Sequence, residues 1–160
     1  DLKKRLTTQL ENIGKFVNGS AAPDFELVNQ NGEKVTLNDF KGKNIYIDFW
    51  ATWCKPCVAE IPDLKKLEEK FKDKNIVFFI ISLDSQKDVE KWKNFIEKKE
   101  LGGIQLIAEN AWSSKTVKDY LVDSIPRFII VDSEGTLVDI DAPRPSSGKI
   151  NKVLNRLDNL

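Results

Sequence analysis

Two cysteines, Cys54 and Cys57, stand three residues apart in the run Trp53-Cys54-Lys55-Pro56-Cys57, and the chain has no others. A bridge between them closes too small a loop to staple a fold of 160 residues. Alone they cannot complete a four-ligand zinc site. That spacing beside a βαβ pattern reads first as thiol–disulfide chemistry; a structural pair, or half of a shared metal site, is the alternative. The thiolate is the form that attacks a disulfide, so one cysteine needs a lowered pKa and some exposure. Cys54 falls where a strand runs into a helix, and the unpaired N–H groups and dipole of a first turn favour an anion there. Pro56 suits that turn because its missing N–H has no partner to lose. Cys57, one turn on, is expected to be partly covered, with both sulfurs on one helix face and within disulfide reach. Lys55 puts a positive charge between them, which favours the thiolate.

Two carboxylates flank the pair. Asp48 precedes Cys54 by six positions on an apolar strand, and a lone buried carboxylate is costly, so its pKa is expected to be raised. Glu60 lies one helical turn past Cys57. Either could take a proton from Cys57; the plainer readings are a partly solvated strand end for Asp48 and a solvated helix face for Glu60.

The composition narrows the chemistry further. The chain has no His, which removes His-based metal sites, Cys–His nucleophilic catalysis and Ser–His–Asp hydrolysis. No metal is expected, and no cofactor besides the Cys54–Cys57 disulfide itself. Twenty-five basic residues balance twenty-five acidic ones without a basic stripe, so neither nucleic acid nor an anionic membrane is an expected partner. No apolar run reaches the length of a spanning helix. The absence of Met marks the chain as an expected processed form or fragment, and a signal peptide or anchor ahead of Asp1 would lie out of view.

These residues need a scaffold, and the hydrophobic pattern supplies one. Residues 2–18 carry Leu2, Leu6, Leu10, Ile13 and Val17 at helical spacing and are expected to form a helix or linker ahead of a single domain, 19–160. Phe25–Val28 and Lys34–Leu37 around Asn31-Gly32 predict a β-hairpin. Asn44–Phe49 is a short apolar strand running into the cysteine motif. Residues 55–72 predict one helix, Ile76–Leu83 a strand buried on both faces, and 86–99 an amphipathic helix carrying Val89, Trp92, Phe95 and Ile96. Ile104–Ile107 predicts a strand and 113–120 a helix. Phe128–Val131 and Thr136–Ile140 form a second hairpin, and a last helix carries Ile150, Val153, Leu154 and Leu157 with Ser146 or Ser147 as its cap. The order gives an α/β domain with a mixed sheet covered by helices.

The segment Asp48-Phe49-Trp50-Ala51-Thr52-Trp53-Cys54-Lys55-Pro56-Cys57 resembles the active site of thioredoxins, and the TlpA/ResA branch of extracytoplasmic disulfide reductases is the nearer match. Ala22-Pro23-Asp24-Phe25 and Leu37-Asn38-Asp39-Phe40-Lys41-Gly42-Lys43 resemble that branch's N-terminal hairpin, Pro62 its helix-kinking proline, and Ile125-Pro126 its cis-proline loop. The resemblance covers about residues 19–158. It implies a thioredoxin-like fold with an added N-terminal β-hairpin, and reduction of protein disulfides outside the cytoplasm through a mixed disulfide. It implies Asp48 as the proton acceptor for the second cysteine and Glu60 as the acidic residue of the ResA type. The lysine that partners the buried aspartate in the family is not evident in Ile76–Leu83, which leaves the proton route open. Substrate is expected to dock on Trp53, Lys55, Pro56, Ile125, Pro126 and Arg127, with Ile125 offering its N–H and C=O to a substrate strand beside Cys54. Arg127 departs from the family's small polar residue and is read as helping the Cys54 thiolate, favouring acidic substrates, or being simply solvated. Trp50 and Trp53 are read as shielding the site and offering an apolar docking surface, with core packing alone an equal reading for Trp50. The expected partners are disulfide-containing proteins and a membrane or thioredoxin-type electron donor. A monomer is expected, periplasmic or otherwise extracytoplasmic, with room for an anchoring segment upstream. The alternatives are a peroxiredoxin-like peroxidase and a thioredoxin-fold metallochaperone. The first is opposed by Ala51, which stands where peroxiredoxins carry Thr. The second is opposed by the lack of a C-x-x-x-C motif and of a distal His.

Overall fold

The computed structural model describes Leu2, Lys3, Arg5 and residues 19–160. The expected helix over 2–18 lies outside the described residues, apart from those first three, which are helical.

Seven strands form one sheet in the order β2-β1-β5-β4-β3-β6-β7. They are β1 (Glu26–Asn29), β2 (Lys34–Thr36), β3 (Asn44–Trp50), β4 (Ile76–Ser82), β5 (Ile104–Ile107), β6 (Arg127–Val131) and β7 (Leu137–Asp139). β3, β4 and β5 run parallel, while the β1–β2 hairpin, the β1–β5 junction and β6–β7 are antiparallel. β3 lies between β4 and β6, and all seven of its residues are buried. That is why Ile45-Tyr46-Ile47-Asp48-Phe49 reads as a run of large side chains with no polar alternation: neither face meets water. Each buried Ile or Phe of this run stabilises the fold by about 1.5–3 kcal/mol, so the strand that carries Asp48 and feeds Cys54 is held firmly.

The helices are α1 (Lys55–Ala59), α2 (Ile61–Lys70), α3 (Val89–Lys98), α4 (Lys115–Asp119) and α5 (Ile150–Asn155). Leu64, Leu67, Trp92, Ile96, Val117, Ile150 and Leu154 bring them into one core cluster with the strands. The chain is thus the mixed α/β domain with an N-terminal hairpin that the sequence predicts. No helix among the described residues is long and apolar enough to cross a membrane.

Two helical expectations need correction. Residues 55–72 form two helices with a break at Glu60, because Pro62 has no N–H to give the carbonyl four residues back and its ring crowds that carbonyl. The last helix is capped by neither serine: Lys149 takes the N-cap position without a side-chain bond. Ser147 Oγ accepts from Lys149 N at 3.1 Å, and Ser146 is committed elsewhere.

Candidate active site

The carboxyl ends of the three parallel strands share one edge of the sheet, where Trp50 is in register with Ser82 and Ser82 with Ile107. The cysteine motif leaves β3 at this edge. Asp84, two residues past β4, fixes its first turn: Thr52 N donates to Asp84 Oδ2 at 3.1 Å and Thr52 Oγ1 to Oδ1 at 2.7 Å. Ser82 Oγ also donates to Asp84 Oδ2. A fully buried carboxylate with three donors is a rigid anchor. Sequence reasoning missed it; the available signal was an acid directly following a buried apolar strand.

Cys54 is the N-cap of α1, and its Sγ accepts from Cys57 N at 3.3 Å. Pro56 sits in the first turn. Cys54 and Cys57 are joined in a disulfide, with their Cα atoms 5.2 Å apart. α1 has only five residues, so the local N–H rather than a long dipole favours negative charge on Cys54. In this oxidised form both sulfurs are covered, Cys54 at 5% exposure and Cys57 at 4%. The expected contrast between an open and a covered cysteine is therefore absent from the disulfide state.

Asp48 projects from mid-β3 and is 5% exposed, which excludes a solvated strand end. Its ladder neighbours are Ile80 and Phe128, so no lysine faces it from β4. Its Oδ1 has no hydrogen-bond partner. Burial pushes its pKa well above the usual carboxylate range, and the charges of Glu60 and Glu68 push the same way.

Glu60 is buried as well, because the helix break turns it inward. Ser146 N donates to its Oε1 at 2.9 Å and Ser146 Oγ to Oε2 at 2.7 Å. The loop that presents Ser146 is tied to β3 by Tyr46, whose hydroxyl donates to Pro143 O at 2.7 Å.

Opposite the cysteines the Ile125–Pro126 peptide is cis, and Ile125 O lies 4.0 Å from Cys54 Sγ. Trp53 is 52% exposed, and Lys55 is exposed beside it. Trp50 is not a docking residue: it is buried and tilted against Phe95 at 5.5 Å between ring centroids. Nor is Arg127 a solvated residue aimed at substrate. Its guanidinium donates to Leu121 O and Ile140 O at 3.4 and 3.5 Å and pairs with Asp123 at 2.9 Å. It braces the cis-proline loop against the end of β7.

Comparisons with known proteins place this geometry. The profile of the Redoxin family matches residues 17–156. The chain is 34% identical over 120 residues to the thiol-disulfide oxidoreductase ResA of Bacillus thuringiensis, covering 75% of this chain and 66% of that protein. It is 37% identical over 122 residues to the thioredoxin-like protein YneN of Bacillus subtilis, covering 76% and 69%. It thus spans about two thirds of the length of these curated relatives. The crystal structure of the thioredoxin domain of a thiol-disulfide oxidoreductase from Bacteroides vulgatus superposes with a TM-score of 0.76 at 32% identity, covering 88% of this chain and 97% of that one. The chain belongs to the Redoxin family, and within it to the relatives of the thiol–disulfide oxidoreductases.

Proposed function

We propose that this protein reduces disulfides in other proteins, with Cys54 as attacking thiolate and Cys57 as resolving thiol. The observation that carries the reading is the Cys54–Cys57 disulfide at the head of α1, with Cys54 Sγ accepting a backbone N–H and facing Ile125 O. In the reduced protein, the Cys54 thiolate attacks one substrate sulfur. The Cys54–substrate bond forms, the substrate S–S bond breaks, and the first substrate thiolate leaves. Cys57 then loses its proton, attacks Cys54 Sγ and releases the second substrate thiolate. Two electrons pass to the substrate, and the protein ends as the disulfide.

Asp48 takes the Cys57 proton in this reading. It lines the same small cavity as Cys57, and its Oδ1 is free to accept. Glu60 is the weaker candidate, since both its oxygens already accept from Ser146; it ties the 143–147 loop to the helix break. Ile125, Pro126, Pro56, Trp53 and Lys55 form the substrate face, while Arg127 acts only through the loop it braces. Oxidised protein is recharged by a thiol or membrane electron donor. The setting is extracytoplasmic, with residues 19–160 as the catalytic domain and 1–18 as a helix or linker ahead of it. The protein acts as a monomer and needs no metal or cofactor besides its own disulfide. A peroxidase would want a hydroxyl where Ala51 is buried.

Redox titration tests the direction. A reductase is expected to lie nearer the roughly −270 mV of thioredoxin than the roughly −120 mV of DsbA. A value at the DsbA end would make the protein an oxidant.

A further inference from the structure

A proton accepted by Asp48 still has to leave a site that excludes water. On the sheet, Asp48 is flanked by Ile80 and Phe128, neither of which can carry it. A cavity of about 10 Å³ behind Cys57 also borders Asp48, with room for about one water molecule. Its wall includes Asp48 and Trp50 of β3, Cys57 of α1, Lys65 and Glu68 of α2, and Gln105 of β5. Three of these residues carry a buried polar atom with no hydrogen-bond partner: Asp48 Oδ1, Trp50 Nε1 and Gln105 Oε1. Orphaned polar atoms gathered on one cavity are unusual in a native core and ask for an explanation.

We propose that Glu68 is the outer carrier of a proton path that runs from Cys57 to Asp48 and through this cavity to solvent. The proposal rests on the reading of Cys57 as the resolving thiol. Glu68 is half-buried, so it joins the cavity to the surface, whereas Glu60 is buried with both oxygens engaged. The chain makes room for the Glu68 carboxylate at Gly102, where a Cβ would stand 2.6 Å from Glu68 Oε2. Gln105 Nε2 donates to Gly102 O at 2.7 Å, which holds that backbone in place.

The electrostatics suit the role. Burial pushes the Glu68 pKa up to about 7, against the lowering pull of Lys65. Lys65 is itself drawn aside by Lys99 O, to which its ammonium donates. The other ionisable groups on the cavity are Asp48 from β3 and Cys57 from α1; β4, β5 and the Leu101–Gly102 turn present Ile80, Gln105 and no charge. A carboxylate titrating near neutrality passes a proton in either direction at little cost. The balance is simple: the proton leaves Cys57 Sγ for Asp48, moves to Glu68 and is lost to water, and no electrons move in these steps.

Stopped-flow reaction of the reduced protein with the aromatic disulfide 5,5′-dithiobis(2-nitrobenzoate) separates the events. One chromophoric thiolate leaves when Cys54 attacks and a second when Cys57 resolves the mixed disulfide. In Glu68→Gln the first phase is expected to be unchanged. The second is expected to slow by about ten-fold above neutral pH and to lose its rise with pH near 7. Added imidazole buffer restores the rate by carrying the proton instead. Gly102→Ala, which displaces the carboxylate without removing it, slows the second phase less. A second phase with wild-type rate and pH profile in Glu68→Gln overturns the proposal, as does a slowed phase that buffer does not rescue. The proposed function fails separately, if the wild-type protein releases only one thiolate or if mass shows the wild-type protein ending with the aromatic thiol still bound, as Cys57→Ser must.

Discussion

Cys54→Ser is expected to reduce insulin no faster than dithiothreitol alone, a loss on the order of 10³-fold or more. The serine hydroxyl fits the N-cap and keeps the bond from Cys57 N, since serine is among the best N-cap residues. The fold and Asp84's hold on Thr52 therefore stay in place, and the loss reports chemistry alone. Cys57→Ser should fail differently. Attack by Cys54 proceeds, but no second thiol follows, so a covalent mixed disulfide with substrate accumulates and shows on a non-reducing gel. A Cys54→Ser protein that still turned over insulin would place the nucleophile elsewhere, and the chain has no third cysteine to offer.

Asp48→Asn is expected to raise stability and lower activity together. The sign follows from the raised pKa. Between the ordinary carboxylate range and that raised value, the native state holds a proton that the unfolded state has released. The native state then binds more protons, so wild-type stability is full at acid pH and falls as pH rises through the native value. Asn carries no charge and loses nothing over this range. Denaturant melts should show the variant gaining on the wild type by about 1.4 kcal/mol for each pH unit between the usual carboxylate range and the raised native value, because Asn has no charge to bury. The gap should close at a pH below the usual carboxylate range. Resolution by Cys57, with its base removed, should slow on the order of 10²-fold. Equal stability at every pH would mean that water reaches Asp48 freely.

The reactive pair was legible because it is local. Three-residue spacing, a preceding apolar strand and an adjacent proline determine where Cys54 and Cys57 go, and each can be read within a dozen residues. Asp48 was legible for a related reason: a single acid among large apolar side chains on a central strand has nowhere to be solvated. The partners of the carboxylates were not legible. Ser146 reaches Glu60 across 86 residues of sequence, and no periodicity carries that contact; the same serine looked like a helix cap. Nothing in the sequence separates Glu68 from the other charged residues of its helix, and only the fold brings it over Gly102. Arg127 was misjudged because its partners Leu121 O and Ile140 O are backbone atoms, which leave no mark on the sequence. The helix break was half readable, since Pro62 was noticed but Glu60 was left on a continuous helix.

The account depends most on the reactivity of the Cys54 sulfur. Its direct measurement is the rate of alkylation of the reduced protein by iodoacetamide as a function of pH, with the modified cysteine identified by mass. Cys54 should react first, with a midpoint below the roughly 8.5 of a free cysteine. Reaction at or above that midpoint, or first at Cys57, would contradict it.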